Sequence, residues 1–92
     1  MALRSLRWTP HALKNLTDRE IDRAEAERTV ASPDHIQRSR PPRSVYMRRY
    51  VDRTLSQEML LRVVVEDGPD ELVVVTVYKT SRIERYLRGV AR

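Results

Sequence analysis

A chain of 92 residues has room for one domain with one modest hydrophobic core, so we treat residues 1–92 as a single domain without a large enclosed cofactor pocket. Cysteine is absent, which excludes disulfides and thiolate chemistry and predicts a reducing, cytoplasmic location, and no apolar run is long enough to span a bilayer. Eighteen basic and 13 acidic residues give a net charge of +5, which suits an anionic partner such as nucleic acid.

The first third of the sequence predicts two helices after a short extended segment. Residues 1–8 are basic and are expected to form an edge strand or an arm. Thr9 and Pro10 mark a helix start, because threonine is a good N-cap and proline fits the first helical position. Asp22 is the expected N-cap of a second helix over about residues 23–31.

Four strands and a last helical segment follow. The predicted strands cover residues 35–39, 44–51, 58–66 and 71–78. The last two are rich in valine, which is typical of central strands with both faces largely covered. A Ser81-x-x-Glu84 capping box predicts a helical segment over residues 82–88, ending near Gly89. The fold class is therefore α+β, with two N-terminal helices packed on a four-stranded, mainly antiparallel sheet and a short C-terminal helix.

Alternation along the last two strands separates their side chains into two faces. The face expected to hold the two helices carries Leu61, Val63, Val65, Val73, Val75 and Val77. Arg62, Thr76 and Tyr78 are then expected on the opposite, open face. Any chemistry of the chain is predicted for that open face.

The open face is also a candidate RNA-binding surface. By alternation it would gather Arg38, Tyr46, Arg48, Tyr50, Arg62 and Tyr78, and Arg82 and Arg85 would extend it along the last helix. Guanidinium groups bind phosphate and tyrosine rings stack on bases, as single-stranded RNA binding requires. An ordinary solvated sheet face has the same pattern, because tyrosine favours strands and an exposed face needs polar cover.

Four segments together resemble a prokaryotic family, the domain-of-unknown-function family 4258. They are Trp8-Thr9-Pro10-His11-Ala12-Leu13, Ser32-Pro33-Asp34, Val63-Val64-Val65 and Val73-Val74-Val75-Thr76-Val77-Tyr78. Members commonly carry Arg-Gly-Ile-Ser after the first helix. This chain has Arg19-Glu20-Ile21-Asp22 there and lacks the glycine, which affects the expected turn but not the helix pair.

That family looks related to the BrnT and RelE/ParE-type toxins of bacterial toxin–antitoxin pairs. The relation implies a toxin-like fold of two N-terminal helices on a small antiparallel sheet. It also implies a metal-independent endoribonuclease that acts on RNA and is neutralised by an antitoxin protein. No cofactor and no membrane partner are expected, and a homodimer is a candidate assembly.

Metal-independent RNA cleavage needs a base for the 2′-hydroxyl, an acid for the leaving 5′-oxygen and cations for the charged phosphorane. Histidine exchanges protons near neutral pH, which makes His11 the candidate acid–base group. Arg62 is the candidate phosphate clamp, and Tyr78 and Lys79 are the candidate proton donor and second cation. Two histidines without cysteine argue against a metal site.

Each of these residues also has a purely structural interpretation. His11 suits a helix start, Arg62 suits a salt bridge to Glu58 or Glu71, and a strand-end tyrosine or lysine is commonplace. Whether the chain is an enzyme therefore stays open in the sequence. The alternative function is a non-catalytic RNA- or protein-binding module that uses the same face.

Overall fold

The structure, a computed structural model, describes residues 5–87. Its elements are β1 (Ser5–Trp8), α1 (Pro10–Asp18), α2 (Arg23–Ala31), β2 (His35–Arg38), β3 (Arg43–Asp52), β4 (Gln57–Asp67), β5 (Glu71–Thr80) and α3 (Ile83–Leu87). The α+β class, the two N-terminal helices and the short C-terminal helix are confirmed, while the predicted end of that helix near Gly89 lies outside the described residues. Within residues 5–87 no helix is long and apolar enough to cross a membrane.

The described sheet has five strands and is mixed, so the predicted number of four was wrong; three of its four strand pairings are antiparallel and one is parallel. Its strand order is β1-β5-β4-β3-β2. The additional strand is β1, which pairs in parallel with β5, from Ser5 opposite Glu71 to Trp8 opposite Val74. The sequence could not predict this parallel pairing, because β1 has only four residues and its partner strand lies more than 60 residues further along the chain.

Both predicted N-caps form as expected. The Thr9 hydroxyl accepts a hydrogen bond from Ala12 N (3.1 Å) and donates one to the Val74 carbonyl (3.0 Å). The Asp22 carboxylate accepts from Ala24 N at 3.0 Å. Because Thr9 bonds both its own helix and β5, it fixes the position of the first turn of α1 on the sheet.

Helix α1 covers the edge of β5 beyond the end of β1. The Asn15 side chain is 4 % exposed, and its Oδ1 accepts hydrogen bonds from Val77 N (3.0 Å) and Thr76 Oγ1 (2.7 Å). The Arg19 guanidinium donates to the Val77 carbonyl at 2.8 Å. Side chains of α1 therefore bond the strand backbone that no neighbouring strand pairs, which is one way proteins protect a sheet edge.

A β-bulge in β5 changes which valines face the helices. The pairing with β4 moves from Val64 opposite Thr76 to Val65 opposite Val74, so Val75 is an extra residue. Leu61, Val63, Val65 and Val77 pack with α1 and α2 as predicted, but Leu72 and Val74 join them in place of Val73 and Val75. We call this the α1–α2 face of the sheet.

The turn between α1 and α2 has the backbone shape that suits glycine, although this chain has none there. Glu20 has a φ of 53°, in the left-handed region. The turn is completed by Ile21, which is 5 % exposed and whose backbone N–H donates to the Leu16 carbonyl at 2.9 Å. The missing glycine therefore leaves the turn intact and places a strained residue in it.

Replacing Glu20 by glycine should stabilise the protein. We expect Glu20→Gly to raise the free energy of unfolding by about 0.5–1 kcal/mol, because glycine adopts positive φ without a Cβ clash. Glu20→Ala keeps the Cβ and is the matched control, with no gain expected. Urea denaturation of the three proteins checks this, and equal stability of the glycine and alanine variants would contradict it.

Candidate functional site

Arg62 lies in the middle of the sheet and is buried, with 8 % of its surface exposed. It pairs across the sheet with Met47 of β3 and Tyr78 of β5. Its guanidinium carbon lies 5.3 Å from the centre of the Tyr78 ring and 4.2 Å from that of the Tyr86 ring. One terminal nitrogen donates to Met47 Sδ at 3.4 Å. Two aromatic rings and a sulfur atom therefore surround this cation.

The face that carries Arg62 is covered, contrary to the expectation of an open face. Val45, Met47 and Leu60 form a second buried cluster there, and Ile83, Tyr86 and Leu87 of α3 pack on it. Valine-rich strands are apolar on both faces, and each face needs cover. We call this side the α3 face. The sequence interpretation assigned a packing face only to the two N-terminal helices and so missed this role of α3.

His11 lines a groove on the α3 side of the sheet. It is the second residue of α1 and is exposed. The groove has a volume of about 430 Å³, and its other walls are formed by Thr9, Arg43, Val64, Val75 and Thr76. Val64 and Thr76 are two residues from Arg62 and Tyr78 in their strands, so these two pairs share a face and lie roughly 7 Å apart along it. The structure thus brings His11, Arg62 and Tyr78 to one side of the sheet.

Lys79 points to the other side of the sheet. Its ammonium donates to Asp52 Oδ2 at 2.5 Å and to the Glu20 carbonyl at 2.9 Å. The Tyr50 hydroxyl donates to the same Asp52 oxygen at 3.2 Å. Lys79 is therefore separated by the sheet from His11, Arg62 and Tyr78, and the four predicted catalytic residues do not form one site.

The Asp52 cluster has strongly perturbed titration behaviour. The hydrogen bond from Lys79 outweighs the burial of the carboxyl group and holds the pKa of Asp52 below its ordinary value of 3.8. Burial and then the Asp52 charge raise the pKa of Tyr50 above its ordinary value of 10.0. At neutral pH Asp52 is therefore a carboxylate and Tyr50 a neutral phenol.

The predicted RNA-binding face is divided between the two sides of the sheet. Tyr46 and Tyr50 are buried in the α1–α2 core. Arg48, also on that face, bonds the Glu25 carboxylate and, at 3.3 Å, the Thr29 hydroxyl. Arg38 is exposed, with its nearest carboxylate, that of Asp67, at 3.8 Å. The prediction of a single arginine–tyrosine face was therefore wrong, because the register of β3 on β4 places Tyr46, Arg48 and Tyr50 on the face opposite to Arg62 and Tyr78.

Arg82 directly precedes α3 and Arg85 lies in it. Both are exposed, as an RNA-binding role would require. Two further arginines lie on the α3 side. Arg43 pairs with Glu66 at 3.1 Å and Arg49 with Glu84 at 3.6 Å. The exposed basic residues beside the His11 groove and Arg62 are thus a different set from the one that strand alternation predicted.

Sequence reasoning missed three parts of these sites. The contact of Tyr86 with Arg62 could not be found without knowing where α3 lies. Arg43 directly follows Pro41-Pro42, a pattern that indicates a turn rather than a groove residue. Asp52 lies just beyond the predicted strand 44–51, although it is the one acidic residue among the six arginines of residues 37–53 and comes two positions after Tyr50, which was a usable signal.

The fold and its sites define a small α+β protein whose mixed sheet carries helices on both faces, with a buried arginine on the α3 face and a buried ion pair on the other. The family model described as Domain of unknown function (DUF4258) matches residues 8–79. The chain belongs to this family, which confirms the resemblance seen in the sequence. No curated protein and no solved structure matches the chain.

The Asp52 carboxylate should make stability depend on acid pH. Its pKa is lower in the folded than in the unfolded protein, so its contribution is complete above about pH 4–5 and is lost as the pH falls. We expect Asp52→Asn to lower the free energy of unfolding by about 1–3 kcal/mol at pH 7 and by less as the pH falls to 3. Urea denaturation across this pH range measures the difference.

The matched control is Asp18→Asn, because Asp18 pairs with Lys14 at 2.8 Å on the exposed surface of α1. We expect that change to stay within about 0.5 kcal/mol at every pH. A wild-type to Asp52→Asn difference that stays constant between pH 3 and 7 would show that the carboxylate charge does not stabilise the fold.

Removing the buried charge of Arg62 should not destabilise the protein. We expect Arg62→Met to raise the free energy of unfolding by about 1 kcal/mol, because methionine fills similar space without burying a cation that lacks a carboxylate partner in residues 5–87. Arg43→Met, at an exposed ion pair, should change it by less than about 0.5 kcal/mol. Thermal or urea unfolding measures both, and a clear loss of stability in Arg62→Met would mean that the guanidinium is structural.

Proposed function

We propose that this chain is a toxin-like protein related to the RelE/ParE and BrnT toxins and acts on RNA as a metal-independent endoribonuclease. The observation that carries the proposal is the placement of His11, Arg62 and Tyr78 on one side of the sheet, beside an exposed groove. The chain also belongs to the DUF4258 family, whose resemblance to these toxins adds support.

The roles follow from the chemistry of 2′-hydroxyl attack. His11, exposed at the groove, takes the proton of the 2′-hydroxyl, and the Tyr78 hydroxyl supplies the proton to the leaving 5′-oxygen. The guanidinium of Arg62 stabilises the phosphorane charge. Lys79 has no part in this scheme because its ammonium is bonded to Asp52 on the opposite side of the sheet.

RNA would approach along the α3 side. Arg82 and Arg85 are exposed there and form no ion pair with any residue in the described range 5–87, so both are available to phosphates. Arg43 and Arg49 pair with exposed or half-exposed carboxylates, and such surface pairs are weak enough to exchange for phosphate. An antitoxin that neutralises the protein would cover the same side.

The second candidate is a non-catalytic RNA- or protein-binding module. It is favoured by the burial of Arg62, which keeps the proposed phosphate clamp away from solvent in this conformation. Such a module would bind RNA in a salt-sensitive way without producing cleavage products.

Loss of the His11 imidazole should abolish cleavage. Labelled single-stranded RNA is incubated with protein in EDTA, and products are analysed for 2′,3′-cyclic phosphate ends. We expect His11→Ala to slow cleavage by at least about 100-fold while RNA affinity changes little, since a general acid–base typically contributes that much. Lys14→Ala removes an exposed side chain of the same helix and is the control, with cleavage unchanged.

The outcomes separate the candidates. Equal cleavage by wild type and His11→Ala would overturn the assignment of His11. Salt-sensitive binding of both the RNA and its fully 2′-O-methylated analogue, without products, would establish the second candidate. Absence of both binding and cleavage would overturn RNA as the target.

A further inference from the structure

Arg62 is more than nine-tenths buried, and its charge is only partly satisfied. Its Nε is buried and has no hydrogen-bond partner within residues 5–87, and in that range no carboxylate forms an ion pair with it. The Met47 sulfur is a weak acceptor. A planar guanidinium with free donors is matched by the oxygens of a carboxylate or phosphate, which can accept two parallel hydrogen bonds.

The cover over Arg62 is the most lightly attached element described. Tyr86, whose ring lies 4.2 Å from the guanidinium carbon, belongs to α3, which has five residues, none of them buried. Its apolar side chains are partly buried on the Val45–Met47–Leu60 cluster. Its one ion pair with the sheet, Arg49 to Glu84, spans 3.6 Å between side chains that are 44 % and 83 % exposed. Such a segment has few of the contacts that hold an element closed.

We propose that Arg62 is a phosphate-binding site that α3 keeps closed, with the Tyr86 ring in the place that a phosphate of RNA would take. This inference rests on the proposed function for the identity of its ligand and adds its regulation. In the closed state the two tyrosine rings stabilise the guanidinium. In the open state α3 leaves the sheet, and a phosphodiester binds Arg62 through the donors that the closed state leaves unused.

The access of Arg62 can be measured without RNA. Phenylglyoxal modifies accessible arginines, and peptide mapping by mass spectrometry gives the rate at Arg62 itself. If the closed state holds about 90 % of molecules, opening it should raise that rate, and the affinity for RNA, by about tenfold. We expect this for Tyr86→Ala, and we expect 10 mM inorganic phosphate to slow the modification again.

Tyr86→Phe is the matched control, because it keeps the ring over Arg62 and should react as slowly as wild type. Ile83→Ala loosens the attachment of α3 without changing any contact of Arg62, and should increase the rate in the same direction. Circular dichroism and the fluorescence of Trp8, the single tryptophan, confirm the fold of each variant. If Tyr86→Ala does not fold, Ile83→Ala provides the test.

The results distinguish this inference from the proposed function. Equal Arg62 reactivity in wild type and in the folded variants with loosened α3 would overturn the closed state, whether or not the protein cleaves RNA. Fast modification without protection by phosphate would overturn the anion site. Faster, phosphate-protected modification together with absent RNA binding and cleavage would support the gated anion site and overturn RNA as its ligand.

Discussion

One extra residue in β5, Val75, decides which side chains of the last strand face α1 and α2. Because alternation restarts after a bulge, Leu72 and Val74 lie on the α1–α2 face while Thr76 and Tyr78 lie on the α3 face. A regular strand would place all four on the same face. Such a strand could either bury Leu72 and Val74 under the helices or pair Tyr78 with Arg62 on the other face, but it could not do both. The bulge thus permits both the packing of Leu72 and Val74 under the helices and the pairing of Tyr78 with Arg62 on the other face.

The sheet holds the buried Arg62 and the partly buried Lys79 in different ways. Lys79 donates hydrogen bonds to the Asp52 carboxylate and to a backbone carbonyl, so its charge is compensated within the fold. Arg62 has aromatic rings and a sulfur atom instead, which suit a weakly hydrated planar guanidinium better than they would suit an ammonium. The compensated cation serves packing, and the uncompensated one is the centre of the chemistry that we propose.

Local signals made most of the fold predictable. The N-caps Thr9 and Asp22 and the valine runs lie within a few residues of what they determine, and the helices and the β4–β5 hairpin appear where these signals place them. The bulge, the parallel pairing of β1 and the position of α3 depend on contacts between distant segments, which no local pattern contains. The predicted site failed for the same reason. Alternation assigns residues to faces within a strand, but it cannot say which faces of separate strands coincide.

The parallel pairing of β1 with β5 also affects the order in which the elements of the sheet form. Ser5 pairs with Glu71 and Trp8 with Val74, so β1 has no partner strand until residues 71–74 have been synthesised. Closing so long a loop is slow compared with forming the β4–β5 hairpin. The hairpin is therefore expected to form before β1 joins it, and α1 can cover the edge of β5 only after β5 is in place.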